Sequence, residues 1–189
     1  MPTPVGHVLG GVAAGWLLVP DAGRREVGSW RTAALLGFAG AAADLDLLTA
    51  AHRGPTHSLG AAVLAGLAAW VVARALTREG PARWGLAIAV AWASHVLLDA
   101  LGTDTSPPLG VPAFWPVSDR WHESGLHVFG AISRRYWRRE FWIGNTLAVL
   151  RELLVLAPLV WLVIRVSTRA SAAFQSRSCP PHEAGPPPR

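Results

Sequence analysis

Between residues 43 and 58 the sequence reads ADLDLLTAAHRGPTHS, so two aspartates and two histidines crowd one short span of an otherwise apolar chain. Ionisable groups near a membrane cost free energy unless something binds them. Carboxylate oxygen with imidazole nitrogen is a ligand mixture suited to a divalent ion, zinc first and manganese or iron as alternatives. Asp44, Asp46, His52 and His57 are therefore candidate metal ligands. Gly54 and Pro55 break any helix, which sets His52 and His57 on either side of a tight turn able to fold both imidazoles back toward the aspartates. Ser58 or Thr56 is placed to cap the next helix, whose apolar run begins at Leu59.

A second constellation lies farther on, in WGLAIAVAWASHVLLDALG, where His95 and Asp99 stand four residues apart. At i and i+4 on a helix both side chains share a face, which suits either chelation of one ion or a carboxylate that orients a ligating imidazole. A plain His–Asp hydrogen bond pinning two helices is the ordinary alternative. Two ionisable groups deep in an apolar helix weigh toward metal. His7, at the start of the first apolar run, reads on its own as an interfacial histidine. Asp44 and Asp46 point about 200° apart on a regular helix, so either the helix loosens there or only one of them reaches the ion.

The elements that position these residues are apolar. The 189-residue chain is 51% hydrophobic and 15% charged, with a mean hydropathy of +0.32. That combination points to a membrane protein of one domain. Residues 32–51, 58–76, 84–101 and 142–166 are each long enough to cross a hydrocarbon core of ~30 Å, and 5–19 is marginal. The fold expected is all-α, a polytopic bundle of about five transmembrane helices with a polar metal pocket at one membrane face. Residue 5–19 lacks a basic start and is read as mature protein rather than a cleaved signal. Its glycines and alanines suit a helix packed inside the bundle.

Charge follows the same plan. All 17 basic residues are arginine. They cluster at segment ends, as membrane-flanking charge does, so no specific nucleic-acid binding is expected. Most of the ten tryptophans fall near segment ends, where indoles anchor at the interface. Cys179 is single, so no intrachain disulfide forms. Five alternating segments would put His7, Asp44, Asp46, His52, His57, His95 and Asp99 at one membrane face. Arginines 24, 25, 31, 74, 78, 83, 165, 169, 177 and 189 then lie on the other face, against 53, 120, 134, 135, 138 and 139 on the site face. The positive-inside rule places the tail in the cytoplasm and the site outside.

Residues 103–140 form the longest polar stretch, expected to lie along the surface as an interfacial loop or lid, with Phe114, Trp115, Trp121, Phe129, Tyr136 and Trp137 dipping into the interface. Asp119, His122, Glu123 and His127 there read mainly as solvated loop polarity. Arg151 and Glu152 fall near mid-membrane and want partners, Glu152 being a candidate floor of the polar pocket. Residues 1–166 make the membrane-embedded domain. Residues 167–189, rich in Ser, Arg and Pro, have no periodicity and read as a disordered cytoplasmic tail.

An N-terminal His opening an apolar helix, D-x-D after the next, then HRGPTHS and H-x2-L-x-D resemble the bacterial inner-membrane metal-dependent hydrolase family, also described as LexA-binding and inner-membrane-associated. The resemblance covers residues 3 to about 118 and includes the WPVS after the fourth segment. HRGPTHS is its specific part. The family's Pro before D-x-D is Ala43 here, which removes a helix-ending signal but no ligand. The ligand order also resembles a reduced form of the zinc-dependent phospholipase C and P1 nuclease group, which is all-helical and hydrolyses phosphate esters. That group continues with another His and an H-x3-E. Here position 136 is Tyr and 148 is Ala, so neither Glu140 nor Glu152 has a His four residues before it. The resemblance implies one or two ions, with phosphoesters as analogy only.

Two functions of different class follow. In the first, an integral-membrane hydrolase holds the ion through His7, Asp44 or Asp46, His57, His95 and Asp99, with His52 touching the ion or one of its ligands. The ion lowers the pKa of water toward ~7 for attack on a phosphoester or lipid-like ester. A spare carboxylate such as Asp46 serves as base, and Arg53 neutralises a phosphate oxyanion. In the second, a non-catalytic membrane protein uses the cluster structurally or to sense metal and binds a cytoplasmic regulator. An open position beside a pocket separates the first from the second.

Overall fold

A computed structural model describes residues 1–48, 53–76 and 79–178. The described residues form six α-helices: α1 (Pro4–Gly15), α2 (Asp21–Val27), α3 (Ser29–Ala41), α4 (Leu59–Leu76), α5 (Pro81–Ala100) and α6 (Arg139–Ser178). Short 3-10 segments follow α1 and α3 and precede α4. No strand occurs among the described residues, where the only sheet-like pairings are isolated bridges at Gly102 with Phe129 and Val111 with His122. The all-α expectation holds at that level.

Among the described residues two helices are long and apolar enough to cross a membrane, Leu59–Leu76 and Arg139–Arg169. Only 17% of each apolar window is buried within the chain, whereas the core helix of a soluble protein is mostly buried. On α4 the outward side chains are Val63, Leu64, Leu67 and Val71, all more than half exposed, a surface suited to lipid. The other apolar segments form shorter or more polar helices. α1 with its 3-10 extension reaches only Leu18, and α3 ends at Ala41, ten residues before the expected end of its segment.

α1 is the centre of the packing and touches α3, α5 and α6, while α5 also packs on α3 and α4. The reason is in its glycines. A Cβ on Gly11 would stand 2.4 Å from the Leu36 carbonyl oxygen, and one on Gly40 would stand 2.4 Å from the His7 carbonyl oxygen. The backbones of α1 and α3 therefore meet with nothing between them, the close approach that small residues permit between membrane helices.

Several side chains expected at the surface are internal. Trp16 and Trp84 are core residues at 4% and 5% exposure; Trp16 Nε1 donates to Ser167 Oγ at 2.9 Å, so its position at a segment end serves packing and not interface anchoring. Phe129 is also buried, against Leu98 and Leu156. Glu152 is buried, but not as a pocket floor: it accepts from Thr3 N and Thr3 Oγ1 at 2.6 and 2.5 Å. It thereby ties α6 to the residue that caps α1 and satisfies one orphan amide there. Arg151 is exposed, with its guanidinium at the His127 carbonyl. α6 continues past Val166 to Ser178, so the boundary expected at residue 167 lies inside a helix; residues 179–189, with Cys179, lie outside the described residues.

Candidate metal centre

Local structure brings the ligands to one end of the bundle. His7 stands in the first turn of α1, which Thr3 and Pro4 start in the usual way for a capped helix. At the other end of α3 the chain tightens into a 3-10 segment, Ala42–Leu48, that carries Asp44 and Asp46. A second 3-10 turn, Pro55–His57, delivers His57. Ser58 Oγ then accepts from Ala61 N at 3.1 Å and caps α4. His95 and Asp99 come from the last turns of α5, on one face as their spacing requires.

Asp99 sits among all three histidines. Its Oδ1 is 3.3 Å from His7 Nε2, and its Oδ2 is 3.2 Å from His95 Nε2 and 3.7 Å from His57 Nε2. Asp44 closes the group from the opposite segment, with Oδ1 3.5 Å from His57 Nε2 and 3.8 Å from His95 Nε2, and Oδ2 4.0 Å from His7 Nε2. The rings of His7 and His95 stack at 3.7 Å, and His57 meets His95 edge-on at 4.7 Å. His7, His57, His95 and Asp99 are at most 1% exposed.

The residues fit a cation. His95 Nδ1 is 2.8 Å from the Gly40 carbonyl, which accepts only from an N–H, so the Nε2 of neutral His95 carries a lone pair into the cluster. That Nε2 and both Asp99 oxygens are buried without a hydrogen-bond partner. Orphaned acceptors cost about 1–3 kcal/mol each, and more when charged, unless a cation satisfies them. Two sets, His7 with Asp44 and His95, and His57 with His95 and Asp99, each place ligand atoms within 4.8 Å of one another and could hold an ion.

Asp44 and Asp46 take different sides of one ring, which answers the geometric problem their spacing raised. Asp46 Oδ2 lies 3.2 Å from His57 Nδ1, behind the ring, and also accepts from Thr56 Oγ1 at 2.9 Å and Gly54 N at 3.3 Å. It does not line the cavity onto which the cluster opens. The expectation of Asp46 as ligand or general base thus gives way to a carboxylate that orients His57, because its oxygen is engaged on the far side. Asp46→Asn is expected to weaken metal binding roughly 10- to 100-fold, the usual effect of losing a group behind a ligating imidazole. Competition of the purified variant against a chromophoric chelator measures this, and an unchanged affinity would remove Asp46 from the site.

Arg53 is likewise committed elsewhere. With φ at +64°, it sends its guanidinium to Asp104 and to the carbonyls of Pro108 and Ser106 at 3.1 and 2.9 Å, beneath Trp121. These bonds fasten the 104–108 loop to the site turn and compete with any substrate oxyanion for the same N–H groups. Asp104 was not legible as a partner, since nothing in LGTDTSPP marks it. Gly40, whose carbonyl fixes His95, had no side chain to signal it either. His52 lies outside the described residues. Asp119, His122, Glu123 and His127 do not line the cavity; Glu123 Oε1 accepts from Asp104 N at 3.2 Å.

The cavity measures about 680 Å³ and is lined by His7, Asp44, Asp99 and Arg53 together with residues from 103–106 and 131–135. The long polar stretch therefore does contribute walls to the site.

A family model described as YdjM inner membrane protein matches residues 1–173. No curated protein and no solved structure matches the chain significantly.

Proposed function

The chain belongs to the YdjM inner membrane protein family, and from that premise we propose that it is an integral-membrane metal-dependent hydrolase. Its substrate is a phosphoester or lipid-like ester at the membrane surface, cleaved to acid and alcohol by addition of water. The single observation that carries this reading is a buried His/Asp cluster with orphaned acceptors opening onto a cavity large enough for a substrate head group. A closed, purely structural site would have no such opening.

His7, Asp44, His57, His95 and Asp99 would hold the ion or ions, with zinc the first choice for this nitrogen and oxygen set. A divalent ion there supplies the Lewis acidity that makes water nucleophilic near neutral pH. The chain's own groups do the rest. Gly40 and Asp46 fix the orientation of His95 and His57 from behind. Asp44 is 21% exposed where Asp99 is 1%, and as the more accessible carboxylate it would accept a proton from water through an oxygen not engaged by the ion.

The membrane arrangement in this reading is five crossings, by α1 with its 3-10 extension, α3 with the 3-10 segment that continues it, α4, α5 and α6, with the site on the extracytoplasmic face and the C-terminal end of α6 in the cytoplasm. It is supported by the meeting of residues from the start of α1, the segment after α3, the turn before α4 and the end of α5, as alternation requires. Reporter fusions after Thr77 and after Arg169 are expected to read as cytoplasmic; a periplasmic signal from either overturns the orientation.

Metal analysis of the detergent-purified chain, paired with a panel of phosphomonoesters, phosphodiesters and carboxylic esters, tests the activity. One or two zinc equivalents with chelator-sensitive hydrolysis are expected. Bound zinc without turnover on any ester would replace the hydrolase by a metal-sensing or structural membrane protein.

A further inference from the structure

Two arginines at the cavity, Arg134 and Arg135, have no role in the metal cluster. Both line the same cavity as His7, Asp44 and Asp99, and both are exposed. Neither forms an ion pair with a carboxylate among the described residues, whereas Arg53 is matched by Asp104. Their backbone is held in place: Asn145 of α6 accepts from Ser133 N and donates to Ser133 O, each at 2.9 Å. Turns at Arg134 and Arg135 follow, closed by Tyr136 N and Arg138 N onto their carbonyls at 3.0 Å.

Charge then decides what the cavity accepts. Arg53 and Asp104 cancel, and Asp44 with Asp99 would balance one divalent cation. Arg134 and Arg135 remain as uncompensated positive charge on the lining, and guanidinium groups favour the paired oxygens of phosphoryl and carboxylate groups. Depth comes from the adjacent aromatics. Tyr136, Trp137 and Trp142 are 66%, 69% and 64% exposed where the apolar span of α6 begins. An exposed aromatic belt at the end of such a helix marks the level of lipid head groups.

We propose that Arg134 and Arg135 are the anion-recognising rim of this cavity, and that they receive the phosphoryl group of an amphiphile whose chain stays in the bilayer. The proposal rests on the hydrolase reading above for its catalytic meaning, but the rim itself is a binding site with its own readout. The phosphoryl chemistry is shared by free phosphate and by a phospholipid head group.

The test uses the full chain in neutral detergent, zinc-loaded, titrated calorimetrically with inorganic phosphate, dihexanoyl phosphatidate and dihexanoyl phosphatidylcholine. Zinc per chain is measured alongside. Wild type is expected to bind phosphate, and to bind the phosphatidate more tightly than phosphate or the choline lipid. R134Q/R135Q is expected to lose about tenfold or more in affinity for both phosphoryl probes while retaining its zinc. N145A keeps both arginines but frees Ser133, and is expected to show a smaller loss in the same direction. Unchanged phosphate affinity in R134Q/R135Q with zinc intact overturns the rim. Equal affinity for phosphate and phosphatidate overturns the amphiphile as its source. A wild-type chain without zinc defeats the hydrolase reading alone, and the rim is then decided by the same phosphate comparison on the zinc-free proteins.

Discussion

Asp99→Ala is expected to lower metal affinity about a hundredfold or more, because one carboxylate stands beside three imidazoles and a hundredfold removes only about 2.7 of the ~10–16 kcal/mol a tight zinc site provides. His57→Ala is expected to behave the same way, and both should end hydrolysis. The metal-free protein is expected to lose stability in Asp99→Ala as well. Asp99 is buried between His7 Nε2 at 3.3 Å and His95 Nε2 at 3.2 Å, so removing it leaves two buried imidazoles without the carboxylate they face, while insertion is decided by the apolar segments that neither change disrupts. Thermal unfolding in detergent separates the two effects. Zinc should raise the midpoint of wild type through its preferential binding to the folded chain, while Asp99→Ala should show no zinc-dependent rise and a metal-free midpoint below that of wild type. Retained zinc stoichiometry in both variants would refute the ligand assignment.

Gly40→Val is expected to damage the same site without touching any ligand. Its Cβ would meet backbone only, the His7 carbonyl oxygen at 2.4 Å and Gly11 Cα at 2.7 Å. Backbone cannot rotate aside, so α1 must move away from α3. Overpacking of this kind costs about 1–3 kcal/mol or more. The displacement falls on His7 directly and on His95 through the Gly40 carbonyl that holds its Nδ1, so zinc affinity should fall about tenfold or more with stability. Gly144→Ala is the control, since a Cβ there meets nothing within 4 Å and alanine is the better helix former by about 1 kcal/mol. Equal zinc affinity in wild type and Gly40→Val would mean that the α1 and α3 contact does not set the site.

Local chemistry was legible from the chain alone because it depends on residue type and short spacing. H-x3-D dictates a shared helical face, and His95 and Asp99 have one. Gly54 and Pro55 dictate a turn, and His57 is delivered by one. The glycines of α1 dictate a close helix contact, and α1 is the most embedded helix. Apolar runs dictate helices, and the all-α fold follows; but helix ends did not, because α3 passes into a 3-10 segment after Ala41 where nothing in AAADLDLL stops it, and α6 runs on through a stretch too polar to announce itself.

Partnership was decided by the tertiary structure. Spacing shows that Asp44 and Asp46 cannot act alike, but only the approach of His57 between them determines that one faces the cluster and the other stands behind the ring. Arg53 reads from the sequence as an anion binder, until Asp104 and the Ser106 and Pro108 carbonyls come within reach of its guanidinium. Glu152 has no partner in its own helix and finds one at Thr3, across the whole chain. The physical reason is common to all three: a polar side chain's role is set by which donors and acceptors surround it in three dimensions, and those come from segments whose separation in sequence carries no spacing rule.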